Sequence, residues 1–274
     1  MSNPTVSVIV PTKNSSATLE SCLRSIQKQT YNDIEVIVVD NFSTDDTQKI
    51  AKKYTKKVYS KGPERSAQRN YAVDQASGYY VCIIDSDMEL DPKVIEECVD
   101  TMKSNDNFAG AIIPEESFGI GFWAQCKKLE RSFYIGIPYM EAARFFRKED
   151  FLNAGGYDKN MVSGEDWDLS QRIGKNGKLK SIKSFIYHNE GKISLFNTIK
   201  KKMYYSKEFA KYTNKTSSTE NVKNQTNLIG RYALFFSKPK KLFRNPILGI
   251  GMLFMKTCEF GFGGIGFIIA RSKK

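Results

Sequence analysis

Along the first hundred residues, short apolar runs alternate with stretches in which apolar positions recur every three or four residues. VSVIV (6–10) is a β-branched run, and IEVIVVD (34–40) and GYYVCIIDSD (78–87) repeat it. Between them, Leu19, Leu23 and Ile26 fall on one face of NSSATLESCLRSIQKQT, the spacing of an amphipathic helix. STDDTQKIAKKY supplies a second helix, whose first free N–H groups Ser43 or Asp45 can cap. SAQRNYAVDQAS predicts a third helix, and DPKVIEECVDTMKS a fourth with Pro92 in its first turn.

Strands that are apolar throughout must be covered on both faces, so the alternation predicts an α/β fold with a mainly parallel sheet flanked by helices. In such sheets ligands bind beyond the carboxyl ends of the strands. Asp40, Asp85 and Asp87 all fall there. Aspartate is also common in loops and caps, which leaves a structural role open for each. The Asp85–Asp87 pair points further toward a site, because neighbouring carboxylates repel unless a cation or solvent separates them.

From 108 to 190 the pattern loosens into shorter elements, among them GEDWDLSQRIGKNG, a helix between glycines, and KSFIYHNEG, a strand or loop. Ser194 to Tyr212 sets Leu195, Phe196, Ile199, Met203 and Phe209 among lysines, a basic amphipathic helix. Thr213 to Asn227 is polar and reads as a linker or mobile loop. Two apolar blocks follow, PILGIGMLFM (246–255) and FGFGGIGFIIA (260–270), split by Lys256 and Glu259. A membrane span needs about 20 apolar residues in a row. The central charges and the many glycines favour an interfacial or re-entrant segment, with a span and a core helix as alternatives. The boundaries expected are therefore 1–192 for a catalytic domain and 193–274 for a helical, membrane-associating extension.

Charge and cysteine content narrow the setting. Lys and Arg outnumber Asp and Glu by 42 to 30, a formal charge of +12, so anionic partners are expected. Lys238, Lys240, Lys241, Arg244, Arg271, Lys273 and Lys274 flank the apolar blocks and suit an anionic cytoplasmic leaflet. The five cysteines have no C-x-x-C spacing, which argues against a disulfide framework or a zinc site. MSNPTVSVIVPTKN lacks the basic start and apolar core of a secretory signal. The expected place is the cytoplasmic face of the cell membrane, with the chain peripheral or monotopic.

Five motifs in order, VSVIVPTKN, VVDNFSTDDT, ERSAQRN, DSD and GEDWDL, resemble glycosyltransferase family 2, inverting enzymes of the GT-A fold. The resemblance covers about residues 5–190. It implies a nucleotide-diphosphate sugar as donor and Mn2+ or Mg2+ as cofactor. Asp85-Ser86-Asp87 is similar to the family's DXD motif, which would make Asp87 a metal ligand and turn Asp85 toward the ribose or the metal shell. His188, the only histidine, stands where relatives place one near metal and diphosphate, although a lone histidine is more often structural. Pro11, Thr12, Lys13 and Asn14 leave the first strand where a nucleotide would lie. Asp40 and Ser43 would serve base or ribose, and Arg65 and Arg69 base or diphosphate, with a solvated helix face as the plainer alternative for both arginines.

The resemblance makes Asp166 of GEDWDL the base, with Glu165 supporting the acceptor site, Trp167 packing beneath a sugar, and Gly155 and Gly156 forming a loop that lets substrates approach the backbone. Taken alone, Glu165 and Asp166 would be an ordinary acidic helix start. A base at this position suits a hydroxyl acceptor on a glycan or polyprenyl-linked glycolipid rather than a lipid phosphate, which needs little proton removal. A sugar-1-phosphate nucleotidyltransferase would carry a glycine-rich loop after the first strand, and PTKNSSAT is not one. A nucleic-acid-binding protein would interleave aromatic platforms with its basic residues, and no such module is evident.

Overall fold

A computed structural model describes residues 4–216 and 220–272. The order begins β1 (Val6–Thr12), α1 (Leu19–Gln27), β2 (Ile34–Asp40), α2 (Thr47–Ala51), β3 (Val58–Ser60), α3 (Arg65–Gln75), β4 (Tyr80–Ile83) and β5 (Met88–Leu90). It continues with α4 (Val94–Ser104), β6 (Phe108–Ile112), β7 (Glu115–Ile120), α5 (Phe122–Ser132), β8 (Ala143–Arg147), α6 (Lys148–Asn153) and α7 (Glu165–Ile173). β9 (Lys178–Ser181), β10 (Ile186–Lys192), α8 (Leu195–Thr216), α9 (Glu220–Thr226), α10 (Leu228–Phe236), α11 (Pro239–Leu242) and α12 (Pro246–Ser272) complete it.

One compact unit takes in the chain up to Pro114, Ala142–Asn160 and Glu165–His188. It is built on a seven-stranded sheet in the order β3-β2-β1-β4-β8-β6-β9. β3, β2, β1 and β4 run parallel, while β8 is antiparallel to both β4 and β6. Burial explains the alternation seen in the sequence. Val6, Val8 and Val10 face one core with Leu23 and Ile26 of α1 and Cys98 and Val99 of α4. Ile9, Ile37, Val81 and Ile83 face the other, against Ala72 and Val73 of α3, Phe151 of α6 and Leu169 of α7. Each fully buried aliphatic side chain contributes about 1.5–3 kcal/mol, so every strand residue here helps fix the sheet. α4 starts at Val94, two residues after Pro92.

The second unit groups Glu115–Glu141 and Met161–Gly164 with the chain from Asn189 onward, so contact in space joins segments that a cut at residue 192 separates. Its core sets Cys126 and Phe133 of α5 against Phe235, Leu242, Met252 and Met255. The polar stretch from Thr213 is helical where it is described: 213–216 complete α8 and 220–226 form α9. Tertiary contact overrides composition here, since Tyr212 donates to Gln225, whose amide in turn donates to the Tyr139 carbonyl, at 2.9 and 2.7 Å.

The two apolar blocks form one helix without a break, so the re-entrant alternative is not what the chain adopts. Gly249, Gly251, Gly263 and Gly266 serve close packing instead. A Cβ at Gly251 would meet the Phe122 ring at 2.4 Å, and one at Gly266 the Met203 carbonyl at 2.6 Å. Pro246–Ile269 is long and apolar enough to cross a membrane. Lys273, Lys274 and the side chain of Arg271 lie outside the described residues. Among the described cysteines all five are free thiols, four of them buried.

Candidate active site

The register of β1 and β2 sets Thr12 beside Asp40 at the carboxyl ends of both strands. Asp40 is fully buried, and its carboxylate accepts four hydrogen bonds: from Thr12 Oγ1 (2.9 Å), Ser43 Oγ (2.5 Å), Ser43 N (2.8 Å) and Gln48 Nε2 (2.8 Å). Burial alone would raise its pKa, but the bonds from Ser43, Gln48 and Thr12 bring it below the usual value. Asp40 thus organises the loop after β2, with four acceptor positions filled from within the chain.

The two loops are laced together. Lys13 Nζ donates to the carbonyls of Asn41 (2.5 Å) and Phe42 (3.1 Å). Asn14, at a φ of 48°, donates its N–H to Ser43 Oγ at 2.7 Å and accepts from the Thr44 N–H at 2.9 Å. Asparagine tolerates this left-handed geometry better than most residues. Asp45 accepts from the Thr47 N–H at 3.1 Å at the start of α2. Pro11 is buried in β1, and Ser86 Oγ donates to Ser15 Oγ at 2.8 Å.

Arg69 is the centre of the site. Its guanidinium is wholly buried, yet it reaches Asp85 Oδ1 at 2.6 Å through Nη2 and Asp166 Oδ1 at 3.0 Å and Glu165 Oε1 at 3.3 Å through Nη1. The Tyr157 ring lies 4.9 Å from its carbon centre. A fixed, planar fork is what permits one cation to hold three carboxylates. Arg65 adds a contact to Glu165 at 3.4 Å. The Arg69 side chain has no outer surface in this structure. Arg65 remains partly exposed.

The second oxygen of Asp85 faces Arg144 Nη1 at 3.4 Å. Burial works against the Asp85 charge, but Arg69, Arg144 and Arg65 hold its pKa far below the carboxylate range. Arg144 had no signal in the sequence. Ala111 pairs with Phe145 and Ile112 with Ala143, so Arg144 is the extra residue of a β-bulge, a device that re-aims a side chain.

β10 pairs antiparallel with β5, matching His188 to Met88. That register brings His188 Nε2 to 3.2 Å from Asp87 Oδ2. The two side chains meet in a direct hydrogen-bond contact, and Asp87 is 41% exposed. Mn2+ and Mg2+ are held by one or two protein ligands together with substrate phosphates and water, so these residues fit such an ion. Asp85 does not complete a three-residue cluster: the described residues contain no group of three His, Cys, Asp or Glu placed to hold a metal.

Glu165 and Asp166 open α7 and differ sharply. Glu165 is 4% exposed at its side chain and Asp166 29%. Burial, with the Asp166 charge beside it, pushes Glu165 up to about 7, against the pull of Arg69 and Arg65. Gly155 and Gly156 take φ of 78° and 63°. A Cβ at Gly156 would also strike Asn70 Oδ1 at 2.7 Å. Asn70 brackets Tyr157 by accepting its N–H and donating to its carbonyl, at 2.8 and 2.7 Å. Arg172, unremarked in the sequence, donates to the carbonyls of Ala154 and Gly156 while paired with Asp168. Trp167 is partly buried on the same turn.

Comparison with known proteins bears on the family and the fold. The family model described as Glycosyl transferase family 2 matches residues 7–162. A Campylobacter jejuni protein named GalNAc(5)-diNAcBac-PP-undecaprenol beta-1,3-glucosyltransferase is 39% identical over 97 residues, covering 32% of this chain and 31% of that protein. The chain spans about a third of the length of the first curated relatives it matches. Among solved structures, the mannosyltransferase PcManGT from Pyrobaculum calidifontis, in complex with GDP-Man and Mn2+, superposes with a TM-score of 0.60 at 17% identity, covering 99% of this chain and 87% of that one. A S. aureus TarS fragment in complex with UDP gives 0.53 at 17% identity, covering 98% and 92%. At such identity these structures speak for the fold, which is the GT-A α/β fold. With more than half of its length matched by the family model and the same fold around its carboxylates, the chain belongs to glycosyl transferase family 2.

Proposed function

We propose that this chain is an inverting, metal-dependent glycosyltransferase that moves a sugar from a UDP- or GDP-sugar to a hydroxyl of a glycan or polyprenyl-linked glycolipid. The observation that carries the reading is the Arg69 bridge, which ties Asp85 of the DXD segment to the Glu165–Asp166 pair. Donor-side and acceptor-side carboxylates are thereby held in one rigid network. The Campylobacter relative, named for glucosyl transfer to an undecaprenol-linked glycan, supports a lipid-linked hydroxyl acceptor. Neighbouring structures with UDP and with GDP-Man and Mn2+ support the donor class and the ion.

In the mechanism we infer, the loops at Pro11–Asn14 and Asp40–Ser43 form the floor for the nucleotide. Asp166 is the more exposed of the acidic pair and takes the proton of the acceptor hydroxyl. As that oxygen forms its bond to the anomeric carbon from the side opposite the leaving group, the bond from that carbon to the phosphate oxygen breaks. The configuration inverts, and the nucleoside diphosphate departs with the electron pair. Arg69 orients Asp166 by donating to its carboxylate at 3.0 Å. Glu165, whose proton lingers to near neutral pH, limits the negative charge packed around Asp166. Asp87 and His188 would hold Mn2+ or Mg2+, which when bound supplies charge neutralisation at the diphosphate. Gly155, Gly156 and Trp167 would line the acceptor side.

The cytoplasmic face of the cell membrane is the setting we propose, where a lipid-linked acceptor and soluble nucleotide sugars meet. The deciding experiment incubates the purified chain and Mn2+ with a panel of nucleotide sugars, with and without polyprenyl-linked acceptors. Release of nucleotide coupled to labelled acceptor supports transfer. Release of pyrophosphate from a nucleoside triphosphate, with no sugar transfer, would replace it with a nucleotidyltransferase.

A further inference from the structure

In α12 the charges point inward and the bulk points outward. Lys256 and Glu259 are buried. Lys256 Nζ lies 2.5 Å from Glu130 Oε1 and 2.7 Å from Glu259 Oε2. Lys127 Nζ lies 2.7 Å from Glu130 Oε2 and 3.3 Å from Glu259 Oε1. This closed square of two cations and two carboxylates pins α12 to α5, and Gly251, Gly263 and Gly266 form more of the buried side.

The opposite side carries Ile247, Ile250, Phe254, Phe262, Ile265 and Ile268, all exposed, between 44% at Phe262 and 72% at Ile247. Their spacing follows one helical stripe, about 30 Å long at 1.5 Å per residue. Thr257 interrupts it, with its hydroxyl held against Tyr232 Oη at 2.6 Å. A water-facing helix has the reverse distribution, polar outside and apolar within. An exposed apolar stripe of this length marks an interaction surface.

The charge pattern identifies the occupant. Lys238, Lys240 and Arg244 are exposed directly ahead of α12, and the sequence has no Asp or Glu from Leu228 to Cys258. Trp123 packs against Phe254 with ring centroids 6.4 Å apart, placing an indole at the stripe's edge, where aromatic rings suit the headgroup level. We propose that this stripe seats the chain flat on an anionic lipid bilayer, with α12 in the interface plane rather than across it. A spanning α12 would need lipid on all sides, and the ionic square already holds one side to α5. The inference deepens the membrane setting proposed above. It stands on α12 alone and is independent of sugar transfer.

The test floats the full chain with vesicles of pure phosphatidylcholine and with vesicles containing a quarter phosphatidylglycerol. The chain should rise with the anionic vesicles and be released by alkaline carbonate. Ile250→Glu together with Ile268→Glu should lower partitioning about tenfold or more, with the circular dichroism of the folded chain unchanged. Replacing Lys238, Lys240 and Arg244 by Ser, which touches no core residue, should remove the preference for anionic lipid. The proposal is overturned if the unaltered chain stays in solution with both vesicles, if the Glu variant floats equally well, or if carbonate fails to release the chain. It is also overturned if sedimentation shows that the stripe closes a dimer that ignores lipid. Nucleotide release, scored in the same samples, reports on the transfer reading separately.

Discussion

Asp85 and Asp166, 81 positions apart in the sequence, are joined through a single guanidinium: Arg69 lies 2.6 Å from the first and 3.0 Å from the second. A cation with no solvent exposure relies on its carboxylate partners to offset the loss of water. The bridge consequently ties the loop after β4 to the start of α7. Arg69→Met should leave three carboxylates without their common partner and destabilise the fold by about 3–5 kcal/mol. Arg69→Lys keeps the charge but loses the fork, and should fold while turning over at least about tenfold more slowly. Thermal unfolding and steady-state rates with the preferred nucleotide sugar check both.

Asp166→Asn removes the proposed proton acceptor without changing shape. Transfer should fall by about 10²–10⁴-fold, while nucleotide-sugar affinity measured by calorimetry changes little. Near-normal turnover in this variant would remove Asp166 from the role of base.

Glu165 links pH to stability. Its ordinary value is 4.5 and its folded value is about 7, so between these the folded state holds a proton that the unfolded state has released. Folding is then favoured at the acid end, and this contribution is lost as pH rises from about 4.5 through 7. Glu165→Gln should abolish that slope. Melting temperatures of the two proteins between pH 5 and 8, compared as a difference, should diverge progressively and level off above about pH 7. A constant difference would exclude a shifted Glu165.

Asp87 and His188 face one another at 3.2 Å. Asp87→Ala should weaken Mn2+-dependent UDP or GDP binding at least about tenfold, and His188→Ala less, because the carboxylate supplies the opposite charge. Chelation of divalent ions should reduce the unaltered protein to the level of Asp87→Ala. Equal nucleotide affinity with and without Mn2+ in all three would count against an ion at this pair.

Lys256→Met breaks the buried square and should destabilise the chain by about 3–5 kcal/mol, since Glu130 and Glu259 would then share only Lys127. Adding Glu259→Leu leaves one neutral pair, Lys127–Glu130, and should restore part of the loss. Denaturant titrations of the single and double variants measure the recovery.

The sequence alone determined the βα alternation and the positions of the carboxylates at strand ends. Strands buried on both faces must be apolar throughout, and the chain after them must turn polar; both signals are local. The resemblance located Glu165, Asp166, Asp87 and His188, and the structure brings them to the same unit. Tertiary structure decided which groups those carboxylates meet. Asp40 is spent on its own loop, and Arg69 is buried among carboxylates because α3 packs beneath the strand ends. Arg144 enters only because a bulge in β8 turns it inward. The polar stretch after Thr213 folds as helix because partners from distant segments fill its hydrogen bonds. The apolar tail is one continuous helix, and Gly251 and Gly266 in it lie close against neighbouring helices. Composition records how many charges and apolar groups a segment carries, but the side of a helix that faces protein depends on which other helix lies against it, and that is set only when the chain has folded.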